Sequence, residues 1–177
     1  MAGDQMTMFR FLICAAALCG LPAHAQAAKY TIDFPLGWSA PVESDGAAVS
    51  RAPANIGDTW CRANSNPMPS LAQSTQEELN KEFADPWDAA TWADVLTVAA
   101  DKIQPSAGTS ALVDGHLVQK VTLVFADDVF GGKVTGRFVS HVLVGRMVNA
   151  ACFTRSEAYD SLKDMFEKTL LSLKPAG

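Results

Sequence analysis

A chain of 177 residues with 14 basic and 19 acidic side chains carries a net charge of −5, so it lacks the positive footprint that nucleic acid or an anionic membrane surface requires. Its length suits one domain that buries about 70% of the surface its unfolded chain exposes. No repeat, low-complexity tract or long run of like charge divides it.

The first segment reads as an export signal. Arg10 is followed by the apolar run Phe11 to Leu21, then Pro22 and Ala23-His24-Ala25. A basic residue, a short apolar core and an Ala-x-Ala end are the parts of a secretory signal peptide, and the run falls short of the roughly 20 residues of a membrane span. Cleavage is expected after Ala25, with Ala27 and Ala28 as alternatives; Leu18 argues against lipid modification at Cys19. Residues 1–25 are thus a signal peptide and residues 26–177 a single α+β domain, periplasmic or secreted, with no integral membrane segment. Cys14 and Cys19 leave with the signal, so Cys61 and Cys152 remain and are expected to form a disulfide.

Along the mature chain, Tyr30, Ile32 and Phe34 alternate with polar residues as a first strand, which Pro35 and Gly37 turn. Trp38 to Val42, Ala47 to Arg51 and Asp58 to Arg62 read as three further strands, and Asn64 to Pro69 as a loop. Ser74 with Glu77, or Thr75 with Glu78, fits a capping box for a helix that buries Leu79 and Phe83. Asp85-Pro86 is expected to start a second helix whose apolar face holds Trp87, Thr91, Val95 and Val98, joined by Trp92, Leu96 and Ala99. The tryptophans there read as packing anchors. Lys102 to Thr109 carries no regular pattern.

Three β-rich runs follow, Leu117 to Phe125, Lys133 to Val144 and Met147 to Phe153, separated by an Asp127-Asp128 loop and a Gly145-Arg146 turn. Leu117, Val121, Leu123 and Phe125 share one face with Val134, Phe138, Val142 and Val144; His116, Lys120, Thr122, Arg137 and His141 share the other. The pattern predicts an apolar face covered by the last helix and a polar face open to water. Thr154 to Glu157 reads as that helix's capping box, and Ala158, Leu162, Met165, Phe166, Leu170 and Leu173 as its stripe. The fold class is α+β, a central antiparallel sheet with helices packed against it.

The opening Tyr30-Thr31-Ile32-Asp33-Phe34-Pro35-Leu36-Gly37-Trp38 and the close, Cys152-Phe153-Thr154 leading into a helix that ends Leu171-Ser172-Leu173-Lys174, resemble the PsbP-like superfamily. The resemblance spans nearly the whole mature chain. It implies an α/β/α sandwich and a binding or assembly scaffold without catalytic residues, since members of that family include a photosystem accessory subunit, a nuclear-import regulator and secretion chaperones. The Cys61/Cys152 pair and the Trp-rich helix depart from its pattern.

Candidate chemistry is sparse. His116 and His141 are the histidines of the mature chain, and neither stands in a nucleophile motif. No cofactor is expected, and a hydrolase built from scattered Ser and Asp is the remotest alternative. Asp127 and Asp128 read as turn formers. A hairpin centred near Val129 brings His116 and His141 close together on the polar face, with Asp114 or Lys120 beside them, which makes them weak candidates for a metal or proton site. Trp87, at a helix rim, and Phe130, at a hairpin tip, are candidate anchors of a protein interface. The function expected is an exported, non-enzymatic binding or assembly protein, its partner another protein; the alternative is a small-ligand or metal-binding module around His116 and His141.

Overall fold

A computed structural model of the chain describes residues 24–27 and 29–176. In chain order its elements are β1 (His24–Ala27), β2 (Tyr30–Asp33), β3 (Val42–Ser44), β4 (Ala47–Arg51), β5 (Trp60–Pro67), α1 (Gln76–Glu82), α2 (Ala89–Leu96), β6 (Ile103–Pro105), β7 (Thr109–Val113), β8 (His116–Phe125), β9 (Val134–Leu143), β10 (Arg146–Arg155), α3 (Tyr159–Leu171) and β11 (Lys174–Pro175). The expected signal peptide lies, through residue 23, outside the described residues; β1 runs across the expected cleavage point.

The main sheet is antiparallel in the order β3-β4-β5-β10-β9-β8-β6, and β7 pairs with the other half of β8. A small sheet, β1-β2-β11, has its own ladder and packs onto it through Tyr30, whose hydroxyl donates to the Ala63 carbonyl at 2.7 Å. Alternation along β8, β9 and β10 places two cores on opposite faces. One joins Val121, Leu123, Phe125, Phe138 and Val142 to Leu79, Trp87 and Trp92 from the α1–α2 region. The other joins Val118, Val139, Val148 and Cys152 to Phe166 and Leu170 of α3 and to Tyr30, Ile32 and Phe34. The molecule is therefore an α/β/α sandwich.

This corrects the expected covering. The face led by Leu123 and Phe138 is closed by α1 and α2, and α3 lies on the face read as open to water. Its polar residues meet the helix: Arg137 pairs with Glu167 at 3.0 Å, Lys120 reaches the same carboxylate at 3.5 Å, and the Thr122 hydroxyl lies 3.0 Å from that of Tyr159. Period-two alternation separates the faces but does not say which is wet, because long polar side chains can bind a helix that brings partners for them.

Local boundaries also move. Asn64 to Pro67 continues β5 rather than looping, because its backbone pairs with Arg146 to Asn149. The segment after Trp38 turns, and the strand forms only at Val42–Ser44, closed on β4 by the Asp45-Gly46 hairpin with both residues at positive φ. Thr75 and Glu78 form the capping box of α1. Asp88, not Asp85, caps α2, accepting from the Thr91 N–H. Thr154 caps no helix: it pairs in the ladder, its buried hydroxyl 2.8 Å from that of Thr59, and α3 begins at Tyr159 after a 3₁₀ turn. The segment expected to be irregular contributes β6 and enters β7, joined to β8 by Asp114-Gly115, again at positive φ.

Candidate functional site

Under the α1–α2 layer the sheet carries a row of polar side chains where apolar ones would be the simpler choice. Register aligns Gln119, Ser140, Asn149 and Asn64 across β8, β9, β10 and β5. Each end of the row has a different task. Gln119 is 1% exposed; its Nε2 donates to the carbonyls of Phe83 at 2.7 Å and Asp85 at 3.1 Å, and its Oε1 accepts from the Trp87 N–H at 3.3 Å. It thus ties down the α1–α2 connection, whose backbone would otherwise be buried without partners. Further along, the Ser140 hydroxyl donates to Asn149 Oδ1 and Asn64 Nδ2 donates to Asn66 Oδ1, both at 2.7 Å.

Helix α2 ends before it covers this second half of the row. Thr97 stops it in the left-handed region at φ 57°, a conformation uncommon for a β-branched residue. The result is a cavity of about 190 Å³ between α2 and the sheet. Arg62, Asn64, Asn66 and Asn149 supply its polar floor; Trp92, Val95 and Leu96 of α2 stand over them, with Phe138 and Phe153 at the side. Among the described residues Arg62 forms no ion pair. Trp92 is 2% exposed, and its indole Nε1 is buried without an acceptor. An uncommitted cation therefore borders the void, while the Trp92 indole lines it with its Nε1 sealed from solvent.

The histidine expectation is met in geometry. Leu117 pairs with Val142, so His141 faces Val118 and His116 is its diagonal neighbour; Nε2 of His116 lies 2.7 Å from Nδ1 of His141. Both line a cavity of about 100 Å³ with Asp114 and Lys120, under Leu170 and the Leu173–Pro175 segment. That spacing is a nitrogen–nitrogen hydrogen bond, one ring donating and the other accepting, so one ring must be neutral on the shared side. Among the described residues no group of three or more His, Cys, Asp or Glu is arranged to hold a metal ion.

Burial, then the neighbouring His116 ring and the Lys120 ammonium, push the His141 pKa from 6.5 down to about 4. Between these two values the unfolded chain holds a proton that the fold does not. Stability is therefore full above pH 6.5, falls as the pH drops toward 4, and levels off below. The loss expected across that window is about 3 kcal/mol. Urea midpoints across the window should show it, and His141→Leu should flatten the profile relative to the parent; parallel profiles would refute it.

The remaining expectations divide. Cys61 and Cys152 are directly opposed on β5 and β10 and form a disulfide. Trp87 precedes α2 instead of lying on it, is 8% exposed, and packs at 4.9 Å edge-on to Trp92, which leaves little of it for a partner. Phe130 is 39% exposed at its turn while its ring also meets Phe125 at 5.1 Å and Trp60 at 5.9 Å. Asp127 and Asp128 sit in the same turn, with Asp128 paired to Lys102. The Arg62 cavity was not expected. Its signal was the alternation Arg62-x-Asn64-x-Asn66, a strand pattern hidden in a stretch whose Asn and Pro content reads as loop.

No protein-family model and no curated protein matches the sequence. Solved structures do match in fold. A cyanobacterial PsbP (CyanoP) from Synechocystis sp. PCC 6803 superposes with a TM-score of 0.53 at 16% identity, covering 83% of this chain and 86% of that one. A protein of unknown function from Pseudomonas aeruginosa, PA94, gives 0.54 at 9% identity over 89% and 99% of the two chains. LpqN, involved in cell envelope biogenesis of Mycobacterium tuberculosis, gives 0.50 at 15% identity over 90% and 86%. The fold is PsbP-like.

Proposed function

We propose that this chain is an exported, non-enzymatic accessory protein that binds a small molecule in the cavity between α2 and the floor of β5 and β10. The observation that carries this reading is the cavity itself: apolar and aromatic walls enclosing a few placed polar groups, with Arg62 forming no ion pair among the described residues. Ligand sites are concave and largely apolar, with a small number of fixed polar groups that orient the ligand. The His116/His141 cavity supports a metal reading less well, because one nitrogen of each ring is spent on the other and no third His, Cys, Asp or Glu among the described residues completes a site. Export is supported by the Ala23-His24-Ala25 signal pattern and by the disulfide. An accessory role agrees with LpqN, a fold neighbour involved in cell envelope biogenesis. No helix among the described residues is long and apolar enough to cross a membrane.

A protein partner belongs to the same reading, with Phe130 as its anchor, since it offers a partly exposed ring at a turn. One purification tests both. Protein recovered from its own source without denaturation is assayed by native mass spectrometry for bound small molecules and for co-purifying chains, alongside Arg62→Gln and Phe130→Ala. The expected result is a ligand lost with Arg62→Gln, and a partner lost with Phe130→Ala while the ligand stays. A ligand retained by Arg62→Gln, or none in any preparation, would overturn the cavity assignment.

A further inference from the structure

We propose that the occupant of the Arg62 cavity is a small organic monocarboxylate with an apolar body, an inference that rests on the cavity being the ligand site. The hydrogen bonds already made decide what the lining has left to offer. Asn66 has spent its carbonyl on Asn64, and Asn149 its carbonyl on Ser140, so both present their amide N–H groups. Arg62 adds a guanidinium with no acidic partner among the described residues. Against these donors the lining holds only the Asn64 carbonyl and the Thr97 hydroxyl as side-chain acceptors, and no Asp or Glu. A field of donors around one cation calls for an anionic acceptor and excludes an amine.

Charge and size narrow the class. A guanidinium presents a planar fork that matches a carboxylate two bonds at a time. A single cation balances one negative charge, and the facing Val95, Leu96, Phe138 and Phe153 offer nothing to a second anionic group. They do suit an apolar body. At about 190 Å³ the cavity is below the roughly 300–1,000 Å³ of drug-sized sites, so the body is a ring or a branched chain and not a long acyl tail.

The experiment uses the oxidised, nitrogen-15-labelled full chain and follows the indole N–H signals of its four tryptophans. Trp92→Phe identifies the Trp92 signal. Benzoate, hydrocinnamate and isocaproate are titrated, each beside its alcohol, and inorganic phosphate is titrated separately. The acids should move the Trp92 signal saturably and bind at least about tenfold tighter than their alcohols. Arg62→Gln and Arg62→Lys should each erase that advantage, partly for lysine, while leaving alcohol binding and melting temperature near the parent values. Alcohols binding as well as acids would overturn the carboxylate assignment and leave the cavity as a site. So would a Trp92 signal moved by phosphate alone, or silent to every acid while native protein carries a molecule of another class. Silence to every probe together with empty native protein would remove both the class and the site.

Discussion

Cys152→Ser should lower the free energy of unfolding by about 4–5 kcal/mol, the chain-entropy value for cross-linking residues 91 apart. The bond joins the centres of two paired strands, and both cysteines are fully buried, in the core under α3. Breaking it frees the unfolded chain and leaves a serine hydroxyl and a thiol in an apolar site with no planned partners. A domain stable by about 5–15 kcal/mol loses a large share of its margin by that change. Urea denaturation of the oxidised parent, the reduced parent and Cys152→Ser measures it. Reduced parent and variant should melt together, well below the oxidised form. Coincident transitions for all three would refute the assignment of this stability to the cross-link.

Gln119→Leu should cost about 2–4 kcal/mol although it keeps the side chain's approximate size. It strands the Phe83 and Asp85 carbonyls and the Trp87 N–H at once, in a part of the fold where Trp87 and Phe83 are packed edge-on at 6.1 Å. The damage should be local before it is global. Amides of residues 84–88 should exchange faster under native conditions, and the Trp87 environment should change in near-ultraviolet circular dichroism. Ser140→Ala, in the same polar row but with its partner Asn149 bordering the cavity, should cost less, because Asn149 can turn to solvent or ligand there. Equal losses for both would mean that the row acts as one unit.

Much of the fold could be read before any coordinates. The alternation through Leu117–Phe125 and Lys133–Val144, the closeness of His116 and His141 and the Thr75/Glu78 capping box all depend on residues near in sequence or tied by one hairpin, whereas the Cys61–Cys152 pairing, 91 residues apart, followed from the number of cysteines left after the expected signal. Local stereochemistry and hydrophobic period fix the former features. Two further signals were present but unread: Asp45-Gly46 and Asp114-Gly115, each a two-residue hairpin, the second of which would have given β7.

By itself, then, the sequence determined the long central strands and the two faces of each, because these follow from backbone geometry and the period of apolar residues, and the two cysteines to be joined, because the expected signal leaves only that pair. Only the tertiary structure decided which helix covers which face, since both faces of β8 and β9 carry residues able to be buried: one with aromatic and aliphatic groups, the other with Lys120, Thr122 and Arg137 that need α3 to bring Glu167 and Tyr159. It likewise decided the cavity. Arg62 and Asn64 come from one strand, Asn149 from its neighbour and Trp92 from a helix beyond them, and a helix stopped at Thr97 leaves space among all four. No local pattern encodes that meeting, because where a helix ends above a sheet is fixed by packing between segments distant in the chain.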